Sequence, residues 1–167
     1  GTTKLVSFNI HGTNDVATII GTATGAVFEA GGVNNTNTSD GASTASGALT
    51  VSDVDAGQSV FQTPASLAGT YGDFAFNATT GAWSYTLDAA KSDPLTQGQV
   101  VNDTLIVTSK DGTATQVINV TITGTNDVAV IGAPTVADVT EDATTPNLVA
   151  TGGISISDAD QNQSVFQ

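Results

Sequence analysis

An antiparallel all-β fold is predicted by three features of these 167 residues. Apolar and polar side chains alternate strictly over several segments, turn-forming residues recur about every ten positions, and apolar residues at helical spacing are nearly absent. Composition agrees. Charged residues are only 11% of the chain and hydrophobic ones 39%, which sets it apart from acidic disordered tails and predicts a folded core.

Taken in order, Val6, Phe8 and Ile10 alternate with Ser7, Asn9 and His11 and read as a strand with one wet face. Residues 31–46 are rich in Gly, Asn, Ser and Thr and read as an exposed loop. Phe74 and Phe76 share one strand face, as do Trp83 and Tyr85, and Asn77-Ala78-Thr79-Thr80-Gly81 supplies the hairpin turn between them. Residues 88–99 lack alternation and leave room for a helical turn. Thr104-Leu105-Ile106-Val107-Thr108 leads through an Asp-Gly turn, Lys110-Asp111-Gly112, into a last strand with Ile118, Val120 and Ile122 on one face. About seven short strands so arranged indicate an immunoglobulin-like Greek-key β-sandwich.

The chain repeats itself. Gly12-Thr13-Asn14-Asp15-Val16-Ala17 recurs as Gly124-Thr125-Asn126-Asp127-Val128-Ala129, an offset of 112 residues. Ser52-Asp53-Val54-Asp55 recurs as Ser157-Asp158-Ala159-Asp160, and Gln58-Ser59-Val60-Phe61-Gln62 as Gln163-Ser164-Val165-Phe166-Gln167, an offset of 105. The seven-residue difference falls most naturally in the loop 31–46. The expected organisation is therefore the last strand of a preceding repeat with its linker (1–15), a complete repeat with its linker (16–127), and the opening part of the next repeat (128–167).

Sixteen acidic residues against three basic ones give a net charge of −13. Nucleic acid and anionic membrane surfaces both demand Lys and Arg, so neither is an expected partner; cations are. With no Cys there are no disulfides, thiolate metal sites or cysteine nucleophiles. No apolar run is long enough to span a membrane, and Gly1-Thr2-Thr3-Lys4 does not open a signal peptide. Neither membrane insertion nor a targeting segment is expected from these residues.

The acids gather at linkers and turns: Asn14-Asp15 and Asn126-Asp127 between repeats, Asp53-x-Asp55 and Asp158-x-Asp160 at strand ends, and Asp111 on a hairpin. The only two glutamates, Glu29 and Glu141, each follow a linker aspartate by 14 positions. Calcium takes six to eight oxygen ligands in irregular geometry, and clustered Asp, Asn and Glu supply such oxygens.

The Gly-Thr-Asn-Asp linker, Asp53 to Gly57 (Asp-x-Asp-x-Gly), Tyr71-Gly72-Asp73-Phe74, Gly81-Ala82-Trp83-Ser84-Tyr85-Thr86-Leu87-Asp88 and Ser109-Lys110-Asp111-Gly112 together resemble the VCBS repeats of giant bacterial RTX-type surface adhesins, which are cadherin-like in fold. The resemblance implies calcium at two junctions. It places Asn14, Asp15, Asp53, Asp55 and Asp111 at the upper one. It places Glu29, Asp88, Asn126, Asp127, Asp158 and Asp160 at the lower one. The chain departs from the cadherin pattern where Ala89-Ala90 follows Leu87-Asp88 and where the linker lacks a preceding acidic residue, which implies fewer or weaker calcium sites. The implied role is a calcium-stiffened extender on the bacterial cell surface, with neighbouring repeats of the same chain as partners and no enzymatic activity.

Blander readings accompany these. Asp and Asn are ordinary turn formers. Trp83 and Tyr85 make either core or a sugar- or protein-binding platform, the competing function for the chain. His11 has no catalytic partner nearby in sequence and reads as a solvated strand residue. Asp73, Asp88 and Asp93 form no convincing glycosidase pair. The orphan strand at 1–11 and the partial repeat at 128–167 raise a further expectation, head-to-tail association in which one copy covers the other's open edges.

Overall fold

A computed structural model describes residues 1–39, 41–138 and 149–167 of the chain; Glu141 lies outside them. Within these, the fold is mostly β. Seven strands build the central unit: β1 (Thr18–Gly21), β2 (Thr24–Phe28), β3 (Thr44–Ser52), β4 (Gly72–Phe76), β5 (Ala82–Leu87), β6 (Val100–Thr108) and β7 (Thr115–Thr123). Four form one sheet in the order β1-β3-β5-β4, and three form a second in the order β2-β7-β6. All pairs are antiparallel except β2 with β7, which run parallel. This exception follows from the chain's switching sheets between Gly21 and Thr24 without reversing. The first strand pairs with β3, and its continuation lies beside the last strand.

The core is what the alternation predicts. Ile118, Val120 and Ile122 of β7, Leu105 and Val107 of β6, Trp83 and Tyr85 of β5, Phe74 of β4, and Leu49 and Val51 of β3 are all buried in one cluster. Phe74 and Tyr85 pack edge to face at 4.8 Å between ring centroids. Trp83 donates its indole N–H to the Thr22 carbonyl at 2.7 Å, which satisfies its one polar atom inside the core. Its ring lies directly over Gly47, its register partner, where a Cβ would stand 2.8 Å from the indole. Neither aromatic of β5 is available as a stacking platform.

The turns also follow their sequence signals. Asn77 Oδ1 accepts from the backbone N–H groups of Thr79 and Thr80, closing the β4–β5 hairpin. Residues 88–99 hold a one-turn helix, α1 (Ala89–Ser92), capped by Asp88. A short 3₁₀ turn, Val33–Asn35, lies in the loop after β2.

Beyond the linker, β8 (Val130–Ile131) pairs antiparallel with β9 (Ile156–Ser157). Its register, Val130 with Ser157 and Ile131 with Ile156, reproduces Thr18 with Ser52 and Ile19 with Val51 at the two offsets read from the sequence. Residues 1–11 pair with no strand among the described residues, and Phe8 and Ile10 are 84% and 94% exposed.

Candidate metal centres at the two linkers

The two Asp-x-Asp turns are built alike. In the upper one, Asp53 Oδ1 accepts from the Asp55 N–H at 2.8 Å, and the Asp53 N–H donates to Ser59 Oγ at 3.1 Å. In the lower one, Asp158 Oδ1 accepts from the Asp160 N–H at 3.0 Å, and the Asp158 N–H donates to Ser164 Oγ at 2.9 Å. The second aspartate of each turn then receives the linker. Asp15 N–H donates to Asp55 Oδ2 at 2.9 Å, and Asp127 N–H to Asp160 Oδ2 at 3.1 Å. One carboxylate turn thus holds each linker aspartate in place.

At the upper linker Asn14 adds to this, donating from Nδ2 to Asp111 Oδ2 at 2.9 Å, while Gln58 donates to Asn14 Oδ1 at 3.3 Å. Ser109 Oγ donates to Asp111 Oδ1 at 2.6 Å. That bond, with those from Thr113 and Asn14, holds the Asp111 carboxyl well below the usual carboxylate range. The sequence-predicted residues Asn14, Asp15, Asp53, Asp55 and Asp111 are joined by hydrogen bonds at one end of the central unit.

The lower linker is more enclosed. Glu29 is 2% exposed, Asp127 5% and Asp160 2%. Glu29 Oε2 accepts from the Thr125 N–H at 2.8 Å, and the Asn126 side chain donates to the Asp127 carbonyl. Burial, then the negative charges of Asp127, Asp93 and Asp160, push the Glu29 carboxyl up to about 7 despite its bond from Thr125. Burial followed by Asp160, Asp93 and Asp158 pushes Asp127 up to about 6, and burial also raises Asp160.

Among the described residues, three buried oxygens here have no hydrogen-bond partner, Glu29 Oε1, Asp127 Oδ2 and Asp160 Oδ1, and Asp53 Oδ2 is another, at the upper linker. Asp103 is the informative contrast. It is just as buried, at 3% exposure, yet it accepts from the N–H groups of Thr70 and Tyr71, each at 2.8 Å, and from the Tyr85 hydroxyl at 2.7 Å. The core carboxylate is satisfied by the protein, whereas the linker carboxylates are not. Among the described residues no three acidic side chains close into a ready-made metal cage. A cation at either linker would therefore draw on amide and backbone carbonyl oxygens as well, a donor set suited to calcium.

Asp88 lies at the start of α1. It caps α1 by accepting from the Ala90 N–H at 3.1 Å and lies 3.5 Å from Lys91 Nζ. Asp93, at the other end of α1, instead lines a cleft of about 270 Å³ together with Asp127 and Asp158. The sequence weighs Asp93 only as a glycosidase carboxylate and gives it no metal role, because it belongs to no repeated motif. Its position at the end of the one segment without alternation was the available signal. No protein-family model matches the chain, and no curated protein is significantly similar to it.

Proposed function

We propose that this chain is a calcium-stiffened extender module of a large bacterial surface adhesin, built on an immunoglobulin/cadherin-like Greek-key sandwich and working outside the cell. The observation that carries this reading is the set of buried, unpartnered carboxylate oxygens where one repeat meets the next. Burying a carboxylate without a partner is strongly unfavourable, and a divalent cation removes both the orphaned oxygens and the mutual repulsion. A linker held at both faces by the same cation is stiff, and a linker of repelling carboxylates is not. Neighbouring repeats of the same chain are the partners, since Asp127 and Asp160 belong to the two sides of one linker.

The competing reading, a sugar-binding module using Trp83 and Tyr85, is disfavoured by their burial, at 3% and 0% exposure. Exposed Val6, Phe8 and Ile10 favour head-to-tail association of copies at high concentration, which light scattering across a dilution series tests. The central reading is tested by thermal unfolding of chelator-treated protein. Adding millimolar calcium raises the melting temperature, because binding to the folded state contributes RT ln(1 + [L]/Kd), about 2.7 kcal/mol at a hundredfold excess over Kd. An unchanged melting temperature rejects it.

A further inference from the structure

From the geometry around the lower linker we infer that Asp93, aimed by Asn35 from the loop after β2, is a cation ligand of that junction, in the place the sequence pattern gives to Asp88. The inference rests on the calcium reading above. Three observations converge on it. Asp93 lines the cleft shared with Asp127 and Asp158, and Asp127 carries a buried oxygen with no partner. Asn35 Nδ2 donates to Asp93 Oδ1 at 3.0 Å, which fixes the carboxyl, and among the described residues no hydrogen bond takes its other oxygen. The next residue, Pro94, accepts through its carbonyl from the Gln161 N–H at 3.1 Å, so the corner carrying Asp93 already touches the following repeat.

The loop that supplies Asn35 is itself fastened to the linker. Gly32 N–H donates to the Asn126 carbonyl at 2.9 Å, and Val128 N–H donates to the Gly32 carbonyl at 3.2 Å. Gly31 allows this approach, since a Cβ there would stand 2.5 Å from the Asn126 oxygen. Asn35 sits at φ 57°, in the left-handed region that asparagine tolerates, and so turns its amide back toward α1. This loop lies in the segment to which the seven-residue difference between the two repeats is assigned.

The test is a calcium titration of the full chain followed by NMR at the backbone amides of Asp127 and Gln161, with unfolding in chelator measured in parallel. Asp93→Asn keeps an oxygen for Asn35 but loses the charge. It weakens calcium binding at these amides by more than about tenfold, and Asn35→Ala weakens it by about tenfold, the usual loss for a residue that orients a ligand. In chelator, Asp93→Asn leaves the melting temperature unchanged or raises it, because a repelling charge is gone; a merely structural role lowers it with and without calcium. Asp88→Asn, which retains the helix cap, leaves calcium affinity unaltered. If the unmutated chain binds calcium and Asp93→Asn binds it equally well, this inference is overturned and the calcium reading stands. If the unmutated chain binds none, both fall.

Discussion

The upper and lower linkers carry the same Asn-Asp pair and the same Asp-x-Asp turn, yet they differ in charge state. At the upper linker hydroxyl and amide donors surround Asp111 and hold its carboxyl ionised, and a single oxygen, Asp53 Oδ2, is buried without a partner. At the lower linker Glu29 and Asp127 are driven toward protonation, and three oxygens are orphaned. The difference lies in what faces the turn. Glu29, Asp93 and Pro94 from the base of the central unit meet the lower turn, whereas among the described residues no such group from another folded unit meets the upper one. Enclosure by a second folded unit, more than the motif, makes a carboxylate cluster unfavourable without a cation.

The largest expected effect tests that enclosure through pH. Glu29 has a folded pKa of about 7 against an ordinary value of 4.5, so the folded state binds its proton more tightly than the unfolded chain does. In chelator, stability is therefore highest below the unfolded value and is lost as pH rises through about 7, by on the order of 3 kcal/mol for this group. Urea unfolding at pH 5 and pH 8 measures the slope. Glu29→Gln flattens it and raises stability at pH 8 while weakening calcium binding. Asp111 has the opposite sign: its depressed pKa contributes stability above the ordinary aspartate range that is lost as pH falls below it.

Next comes Asp160, the lower turn's link to Asp127. Asp160→Ala removes a buried carboxylate and a linker hydrogen bond at once. The calcium-linked gain in stability drops by up to about 2.7 kcal/mol at a hundredfold excess of calcium over Kd, while the core of the central unit stays folded. Calorimetric titration then records fewer sites. A loss of the cooperative core transition in Asp160→Ala would show instead that the two units fold as one.

Much of this was legible beforehand, for a physical reason. Alternation reports which side of a strand faces the core, so β4, β5, β6 and β7 and their buried faces were readable; the expected loop 31–46 runs too far, since β3 begins at Thr44 and pairs with β5 from there. The Asn-Asp and Asp-x-Asp motifs were readable because backbone-to-carboxylate turns are local. Three features were not. The parallel pairing of β2 with β7 depends on a sheet switch at Gly21 that no periodicity records. The partners of Asp103 and the placement of Asp93 depend on contacts across 58 residues to Asn35 and 33 to Thr70, beyond the reach of local spacing.

Asp103 sharpens the comparison from the other side. Its two oxygens take three donors within the protein, and the hydroxyl of Tyr85 among them is held protonated well above its ordinary range, by burial first and by Asp103 second. Asp103→Asn leaves at least one buried donor badly matched, which lowers stability by about 1–3 kcal/mol. Its calcium response is that of the unmutated chain. A variant that also lost calcium binding would mean that any disturbance of a buried carboxylate weakens the junctions, and the distinction between satisfied and orphaned groups would fail.

The smallest effects come from the first aspartate of each turn. Asp53→Asn and Asp158→Asn both keep an oxygen for the N–H two residues on, so the turns persist and stability in chelator changes by no more than about 0.5 kcal/mol. The calcium response separates them by location. Asp158→Asn loosens the lower linker, seen as faster amide exchange at Asp127 and Gln161, because the Asp160 carboxylate and the Pro94 carbonyl hold those amides there. Asp53→Asn leaves those amides untouched and speeds exchange at Asp15, whose N–H bonds the upper turn. If either substitution disturbed both sets, the linkers would be coupled through the central unit, and calcium at one end would be felt at the other, about a whole repeat away. The packed core between them argues for independence: it is apolar, and no chain of side-chain hydrogen bonds among the described residues connects Asp53 to Asp127.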